Sequence, residues 1–506
     1  MKKIIVFLLT IAMMMSIAAC GNTSGSTTTS DSNSATNGYK QVTIAYATFN
    51  NIPDEDALDD VEEAINVITR EKIGAEITLM PISISEYSSK VQLALQGSEK
   101  IDIFETLGDL NNYISNNMAL DITDMIDKYA KEAKDVVGED WLAACTSNGK
   151  LYGIPTMKPI ALTPMVVYRK DIADELGIDM SAVNSIYDLT PILKKVKEAY
   201  PNMIPVCAVQ TGEIGVSMNY GEVDFLGDDR YSPVGVLMGD SYEVVDLYST
   251  DTFYNLCKLV RSWYLDGLVM KDAATTTSMA QESMSSGNYF CFIAGYSYPE
   301  EDTAASLEAQ CGGYDLGAKI IGDAYLSTSD INALTWCISS TSDVPEAALS
   351  FLNLTFTDED IINLVIYGIE GRDYVKNPDG TVSYPEGQDA TTVPYTAQLS
   401  CGTFGNFFKM YPMEGTNPES LEWELEQNKT AKCSPAMGFT FDASSVKTQY
   451  TAVKNVIQQY LPGLICGSLD PDTEIPKFID ALNSAGYQDI LKAKQEQLNA
   501  WQNNNK

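Results

Sequence analysis

Two short runs of polar and aromatic residues directly follow strand-like segments of the sequence. The residues are Thr48, Phe49 and Asn50 after the segment 41–47, and Gly108 and Asp109 after the segment 101–104. In open α/β sheets, ligands bind beyond the carboxyl ends of the strands. Hydroxyl, amide and carboxylate groups provide hydrogen bonds at such a place, and an aromatic ring provides a stacking face. These residues therefore predict noncovalent binding of a small molecule.

Catalysis by the common side-chain constellations is excluded by composition. The 506 residues include no histidine, which removes the commonest general base, the usual base of catalytic triads and the commonest metal ligand. A glycosidase would need two carboxylates roughly 5 to 10 Å apart. With 69 acidic residues such pairs occur by accident, and no motif singles out one of them. We therefore predict that the protein is not an enzyme, although hydrolysis of a chromogenic glycoside would revive that alternative.

The cysteines are scattered and suggest neither a disulfide framework nor a zinc site. Nine follow Cys20, none forms a CxxC pair, and several, such as Cys291 and Cys466, have apolar neighbours. This pattern predicts buried thiols. No stretch matches the spaced acidic loop of a calcium site, although calcium stays an open alternative. No cofactor is predicted.

The charge balance bears on partners rather than on fold. The chain has 69 acidic and 33 basic residues and a formal net charge of −36. Binding to nucleic acid depends on basic residues that neutralise phosphates, so nucleic acid is not an expected partner. An acidic surface mainly keeps a protein soluble.

The first twenty residues are typical of a bacterial lipoprotein signal. Lys2 and Lys3 precede a short apolar stretch, which ends in small residues followed by Cys20. The stretch is too short to span a membrane. We predict a signal peptide over 1–19, lipid attachment at Cys20, and a flexible linker over 20–38, which is almost entirely Ser, Thr, Asn, Gly, Asp and Ala.

The elements that must position the polar runs alternate between strand and helix. Strands are predicted at 41–47, 75–80 and 101–104, and single helices separate them, which favours a parallel α/β sheet. Gly153, Pro155 and Pro159 interrupt the pattern and indicate a crossover between two lobes. The tail from 445 to 501 is predicted to be helical, with breaks at Pro462 and Pro471.

Several motifs, in their order along the chain, resemble the lipid-anchored, carbohydrate-type solute-binding proteins of bacterial ABC importers. The motifs are Tyr-Gly-Ile-Pro at 152–155, Ile-Ser-Ser-Thr-Ser at 338–342, Tyr-Gly-Ile-Glu-Gly-Arg-Asp-Tyr at 367–374, Phe-Gly-Asn at 404–406 with Tyr-Pro at 411–412, and Ser-Pro-Ala-Met-Gly-Phe-Thr-Phe-Asp at 434–442. The last motif and the helices after it are similar to a C-terminal module of undefined function in one subgroup.

The resemblance implies a periplasmic-binding-protein-like α/β fold with two lobes, a hinge and a cleft between the lobes. Lobe 1 is expected at 39–158 plus 327–375. Lobe 2 is expected at 159–326 plus 376–506, including the C-terminal helices. Two or three crossing segments would join the lobes, and a solute would be bound as they close.

The resemblance also extends the set of expected ligand-binding residues. The full set is Thr48, Phe49, Asn50, Gly108, Asp109, Met157, Lys158, Tyr296, Tyr298, Thr335, Trp336, Glu370, Arg372, Phe404, Asn406 and Phe407. A purely structural role is the alternative for Trp336, which would be a buried tryptophan, and for Glu370 and Arg372, which would pair and hold the hinge. Relatives often have a tryptophan near Gly402, where this chain has none, so the stacking partner stays open.

The function implied is capture of a carbohydrate, in particular an oligosaccharide, and its delivery to the permease of an ABC transporter at the extracytoplasmic face of the cell membrane. The protein is expected to be a monomer and to contact the membrane only through its lipid. Two alternatives keep the same fold: binding of a peptide or another small nutrient, and a role as a surface sensor or adhesin.

Overall fold

A computed structural model describes residues 38–49, 52–97, 99–397 and 402–504. The predicted signal peptide, the lipid-attachment residue Cys20 and the predicted binding residue Asn50 lie outside the described residues. Residues Met1–Tyr39 form one unit, of which only residues 38 and 39 are described, and Lys40–Lys506 form a second unit.

The strands are β1 (Lys40–Thr48), β2 (Ala75–Ser83), β3 (Ile103–Glu105), β4 (Thr146–Ser147), β5 (Lys150–Leu151), β6 (Ile154–Pro155), β7 (Thr163–Arg169), β8 (Ile204–Val206), β9 (Val223–Asp224), β10 (Leu237–Met238), β11 (Tyr289–Tyr296), β12 (Leu316–Ile320), β13 (Tyr325–Leu326), β14 (Thr335–Ile338), β15 (Val375–Lys376), β16 (Val382–Ser383) and β17 (Lys432–Cys433).

The helices are α1 (Glu55–Ile73), α2 (Ile84–Gln96), α3 (Leu110–Ser115), α4 (Ile126–Tyr129), α5 (Lys131–Val137), α6 (Glu139–Ala143), α7 (Lys170–Glu175), α8 (Leu189–Ala199), α9 (Asp251–Leu265), α10 (Ala280–Ser285), α11 (Glu300–Glu308), α12 (Thr328–Ile331), α13 (Pro345–Thr357), α14 (Glu359–Tyr367), α15 (Pro418–Thr430), α16 (Lys447–Ile465), α17 (Pro471–Ser484) and α18 (Tyr487–Asn504).

The first sheet has the strand order β2-β1-β3-β14-β6. β1 pairs in parallel with β2 and β3, which confirms the parallel arrangement predicted from the alternation of strands and helices. α1 follows β1, buries Val61 and Ile65, and ends at Gly74, whose φ of 63° is readily adopted only by glycine. β14 comes much later in the chain and pairs antiparallel with both β3 and β6.

The second sheet has the order β12-β7-β11-β8. β7 pairs antiparallel with β11 and β12, and β8 pairs in parallel with β11. Its middle strands are almost wholly apolar, as expected for strands buried on both faces. Helices α8 and α9 pack within the same core through Leu193, Val196 and Trp263.

Two large hydrophobic cores correspond to the two lobes. The first contains buried residues from Val42 to Ala161 and again from Ala324 to Met410. The second contains buried residues from Met165 to Ile321 and again from Val446 to Ile490. The sequence division placed everything after residue 375 in lobe 2. The segment from Val382 to Met410 packs instead in the first core, because Tyr395 and Phe404 are buried against the first sheet and its helices.

Three connections join the lobes. The first crossing runs from β6 to β7, the second runs from β12 to β13, and the third contains α15. α15 contacts both cores, since Trp423 packs against the second and Leu425 against the first. The Asn428 side chain accepts hydrogen bonds from the backbone N–H groups of Ile160 and Ala161 in the first crossing, both at 3.1 Å. The helix is therefore an integral part of the hinge.

The C-terminal helices α16, α17 and α18 pack on lobe 2. The ammonium of Lys494, which is fully buried, lies 2.9 Å from a carboxylate oxygen of buried Asp228. The predicted break at Pro462 is wrong, since α16 continues through this proline to Ile465. Tertiary packing outweighs the local preference there, because Leu461 and Leu464 are buried in the second core. Pro471 begins α17, as predicted for a helix boundary.

Candidate functional site

One edge of the first sheet faces lobe 2. β1, β3 and β6 are parallel to one another, β14 is antiparallel to them, and β6 leads directly into the first crossing. The carboxyl ends of β1, β3 and β6 and the amino end of β14 therefore share this edge. The segments at the edge are Thr48–Phe49, Glu105–Asp109, Met157–Lys158 and Thr335.

The facing edge of the second sheet follows from the same argument. β7 begins immediately after the first crossing, and β11 and β12 are antiparallel to it. The carboxyl ends of β11 and β12, and that of β8, therefore lie at the edge nearest lobe 1. Tyr296, Tyr298 and the segment after β8 lie there. The two edges together form the interlobe site.

Several predicted binding residues lie at these two edges with accessible side chains or backbone. Phe49 is 55% exposed and Tyr298 is 41% exposed, which is unusual for large rings. Gly108 and Asp109 are exposed, and Lys158 and Tyr296 are half-buried. The topology brings these residues, from both lobes, to the interlobe site.

A second group of predicted residues is buried behind the edge of lobe 1. The group is Thr48, Met157, Thr335, Trp336, Phe404 and Asn406, and each is at most 7% exposed. Asn406 Nδ2 donates a hydrogen bond to the Phe356 carbonyl at 3.3 Å. Phe407 is half-buried, and its backbone N–H donates to the Met157 carbonyl at 2.8 Å. These residues support the wall of the site.

Trp336 and Phe404 are part of the first core. The indole N–H of Trp336 donates a hydrogen bond to the Thr403 carbonyl at 2.6 Å, and its ring lies 5.3 Å from that of Phe404. Phe404 also contacts the Tyr46 ring at 5.1 Å. Both rings are about 1% exposed. Trp336 is therefore a buried tryptophan of the core, as its structural alternative held, and Phe404 is buried with it.

Glu370 and Arg372 lie beside α1 and α14 rather than at the strand ends. The Arg372 guanidinium lies 2.6 Å from an Asp60 carboxylate oxygen and 2.8 Å from one of Asp373. Glu370 is exposed, and its nearest cation is Lys376 at 3.6 Å. Arg372 therefore holds the loop after α14 against α1, which is a structural role, and it does not pair with Glu370.

Glu105 is a site residue that the sequence reasoning missed. It ends β3 at the interlobe edge, is fully buried, and neither of its carboxylate oxygens has a hydrogen-bond partner. The Oγ1 atom of neighbouring Thr106 is also buried and unpartnered. Burial raises the pKa of Glu105 well above its usual range, and the positive charge of Lys158 opposes that shift. Unpartnered buried polar groups are rare and costly, so they mark a place where a ligand or water completes the hydrogen bonding.

The signal that could have found Glu105 is a charged residue that ends an apolar strand. Ile103 and Phe104 precede it, and both are fully buried. A carboxylate in that position is costly unless another group uses it. The strand-end rule was applied to Gly108 and Asp109, which lie further along the same loop.

A cavity of about 650 Å³, here called the hinge cavity, lies where lobe 2 meets the second crossing and α15. Its lining residues are Pro164, Ser185, Ile186, Tyr187, Met218, Asn219, Gly221, Glu222, Ile321, Gly322, Asp323, Ala324, Tyr325, Gln427, Thr430, Ala431 and Lys432. The sequence reasoning did not identify it, because its walls come from five separate segments.

In the described ranges, no group of three or more Cys, Asp or Glu side chains could hold a metal ion. No helix among the described residues is long and apolar enough to span a membrane. The eight cysteines that the structure describes are free thiols, and seven of them are buried.

The sequence profile of the family described as "Bacterial extracellular solute-binding protein" matches residues 58–361, more than half of the chain. The chain belongs to this family. The family places this solute-binding protein outside the cytoplasm. A second profile, a domain of unknown function (DUF3502), matches residues 435–503 and so covers α16, α17 and all but the last residue of α18.

Relatives and solved structures match this solute-binding protein over nearly its whole length. A curated protein of Streptococcus pneumoniae, named as a carbohydrate ABC transporter substrate-binding protein, is 26% identical, and the match covers 98% of this chain and 97% of the relative. The crystal structure of the N-glycan transport solute-binding protein NgtS from the same species matches with a TM-score of 0.74 and 24% identity, covering 92% of this chain and 100% of that chain.

The same neighbour has also been solved with sugars bound. Its complex with Man5GlcNAc matches this chain with a TM-score of 0.58 and 25% identity, covering 92% of this chain and 99% of that chain. Its complex with Man1GlcNAc matches this chain with a TM-score of 0.61 and 24% identity, covering 91% of this chain and 99% of that chain. The two-lobed solute-binding fold is therefore shown, and the fold expected from the resemblance is confirmed.

Proposed function

We propose that this solute-binding protein captures a carbohydrate, in particular an oligosaccharide, between its lobes and delivers it to the permease of an ABC importer. The observation that carries the proposal is the strand topology, which brings the exposed Phe49 and Asp109 to the edge of lobe 1 and the exposed Tyr298 to the facing edge of lobe 2. The curated relative that matches along the whole chain bears a carbohydrate-transporter name, which supports the same substrate class.

The chemistry of the interlobe site suits sugars. A pyranose ring has apolar CH faces that pack on aromatic rings, and its hydroxyl groups donate hydrogen bonds to carboxylate acceptors. Asp109 is such an acceptor, Lys158 supplies a donor, and the buried carboxyl group of Glu105 has two oxygens without a partner in the protein. Binding requires no bond-making or bond-breaking, so the role proposed is that of a receptor and not of an enzyme.

Lobe closure is the proposed mode of capture. A ligand that contacts both edges binds the closed arrangement better than the open one, and it shifts the population toward closure.

The remaining expectations complete the proposal. Lipid attachment at Cys20 would hold the protein at the extracytoplasmic face of the cell membrane, with the linker 20–38 giving it reach. The protein would act as a monomer, with the solute and the permease subunits as partners. The residues that would shape the site from behind are Thr48, Met157, Thr335, Trp336, Phe404, Asn406 and Phe407. Those that would border it are Phe49, Asn50, Gly108, Asp109, Lys158, Tyr296 and Tyr298.

A titration tests the proposal. A protein comprising residues 39–506 is mixed with a panel of neutral and acidic oligosaccharides, short peptides and polyamines, and its thermal unfolding is followed. A ligand at 100 times its Kd adds about 2.7 kcal/mol to the free energy of unfolding, which corresponds to roughly 5 to 10 °C for a lobe of this size. A shift with one saccharide class, and no product released, supports a carbohydrate receptor.

Two variants and a control locate the binding. Phe49→Ala and Tyr298→Ala each remove an exposed ring and should weaken the affinity about tenfold, equivalent to about 1.4 kcal/mol. Tyr254→Ala removes another exposed tyrosine, on α9, and should leave the affinity unchanged. A peptide or amine hit with no saccharide hit refutes the sugar assignment while keeping the fold. No hit at all favours the sensor or adhesin alternative.

A further inference from the structure

We propose that the hinge cavity is a second saccharide-binding site, which takes a neutral, hydroxyl-rich arm of the ligand held in the interlobe site. The proposal rests on the proposed function and specifies its substrate: a branched or extended neutral oligosaccharide rather than a disaccharide. The cavity adjoins the interlobe edge of lobe 2. Its lining residue Pro164 pairs with Gly295 in the neighbouring strand, one step from Tyr296.

The size of the hinge cavity fits such an arm. Its volume of about 650 Å³ lies within the range of roughly 300 to 1,000 Å³ that is usual for small-molecule sites. The lining residue Met218 packs closely against β11, because a Cβ atom at Gly295 would lie 2.3 Å from Met218 Cε. Glycine at 295 therefore permits a close approach that shapes this wall.

The lining offers hydrogen-bond acceptors that the protein does not use. Among the described residues, the side chains of Asp323 and Gln427 have no hydrogen bond or ion pair within the protein. Asn219 donates through Nδ2 to the Gly215 carbonyl at 2.7 Å, which leaves its Oδ1 atom as an acceptor. Tyr187 contributes a ring that is 49% exposed. A ring face beside several acceptors is the combination that a sugar requires.

The charges of the lining select against an acidic sugar. Its one lysine, Lys432, is held by two carboxylates, Glu222 at 2.7 Å and Asp240 at 2.9 Å. These two contacts raise the pKa of Lys432, so it stays charged. Its positive charge is neutralised by the two carboxylates and does not attract a further anion. Asp323 adds a further negative charge. A uronate or sialylated arm would therefore be repelled, whereas neutral hydroxyl groups would donate to the acceptors.

The position of the hinge cavity links occupancy to lobe movement. Its walls belong to lobe 2, to the second crossing at 321–325 and to the end of α15. β13 in the second crossing pairs in parallel with β17 directly after α15. An arm bound here contacts two of the three connections that must change when the lobes rotate. Binding at this place therefore biases the orientation of the lobes as well as adding affinity.

The experiment compares long and short members of one neutral series. The protein is screened against an array of neutral and acidic glycans that includes Man1GlcNAc and Man5GlcNAc. Two ligands are taken from the series that binds: its longest member and the disaccharide fragment of that member. The Kd of each ligand is measured for the unaltered protein, for Tyr187→Ala and Asp323→Asn, and for the control Tyr254→Ala. Hydrogen exchange of the backbone amides at 321–325 is measured with each ligand.

The expected results separate the two proposals. Tyr187→Ala and Asp323→Asn should each weaken the longest ligand about tenfold, change the Kd of the disaccharide less than twofold, and leave the thermal midpoint unchanged. Exchange at 321–325 should slow with the longest ligand only. If the unaltered protein binds no glycan, the proposed function and this inference both fail. If it binds glycans but the two variants match the control, or if acidic glycans of equal length bind as tightly, only the hinge-cavity proposal is overturned.

Discussion

Replacing Lys494 by methionine should strongly destabilise lobe 2. The Lys494 ammonium is fully buried, lies 2.9 Å from Asp228 Oδ2, and donates to the Gly235 carbonyl at 3.1 Å. Tyr450 donates its hydroxyl hydrogen to the other oxygen of Asp228. Asp228 is itself only 9% exposed. This cluster attaches α16 and α18 to the segment that follows β9.

The size of the effect follows from the charge that remains. Methionine keeps most of the length of the lysine stem, so little packing is lost. The change leaves the Asp228 carboxylate buried without its cation, which costs about 3–5 kcal/mol. For a unit of 150–250 residues, about 2–4 °C of Tm is lost per kcal/mol. The thermal midpoint should therefore fall by roughly 6 to 20 °C.

The assay is calorimetry at pH 7, with a matched control on the same helix. Lys492 is 77% exposed at its side chain, and its nearest carboxylate, Glu496, lies 3.9 Å away. Lys492→Met should change the midpoint by less than about 1 °C, because exposed ion pairs contribute little. The double variant Asp228→Asn with Lys494→Met should recover part of the loss, since no uncompensated charge remains. Equal midpoints for Lys494→Met and Lys492→Met would refute the reasoning.

Three further predictions concern other parts of the chain. Burial, together with the charge of Asp302, raises the pKa of Glu424 to about 8 from 4.5, so its protonated form stabilises the fold at low pH and this stability is lost as the pH rises through 8. Glu424→Gln should therefore flatten the pH dependence of the urea midpoint above pH 5. An unchanged slope would contradict this prediction. In a time course with a thiol reagent, Cys433 should react before the seven buried thiols among the described cysteines. All eight should react in denaturant, and simultaneous reaction in the native state would disprove the burial. Gly405→Ala should lower the Tm by several degrees, because its Cβ would lie 2.1 Å from the Thr355 carbonyl oxygen, whereas Gly74→Ala meets no atom within 4 Å and should cost less.

Much of the fold could be predicted from local patterns. The predicted strand 41–47 is observed as β1 at Lys40–Thr48, and the helical face of Val61 and Ile65 is buried, because the period of apolar residues reports directly on which face meets a core. The extent of lobe 1 could not be derived in this way. Phe404 packs in the first core against Tyr46, which lies far from it in the sequence, and no local period encodes such a long-range contact.

The position of the site could be predicted from the sequence, but which side chains are exposed there and which are buried could not. The strand-end rule located Phe49 and Asp109 at the interlobe edge. Trp336 is buried because β14 lies between β3 and β6, and the sequence of a single strand does not reveal that it has neighbours on both sides. Glu105 was not predicted because the sequence does not show which buried groups lack a partner. Its missing hydrogen-bond partners become apparent only when the surrounding atoms are known.

The place of β14 has a consequence for the order in which the lobes can fold. β3 and β6 end at Glu105 and Pro155, yet the strand that lies between them begins only at Thr335, after every strand of the second sheet. A chain that emerges from its amino end can therefore complete the second sheet first, while the first sheet still has two unpaired strand edges. Such edges are prone to pair with other chains, and non-local pairing is slow. The first sheet therefore stays open to mispairing until residue 338 has emerged, and the second core is completed later still, once α16, α17 and α18 have emerged. A chaperone acting during export would protect these open strand edges during that interval.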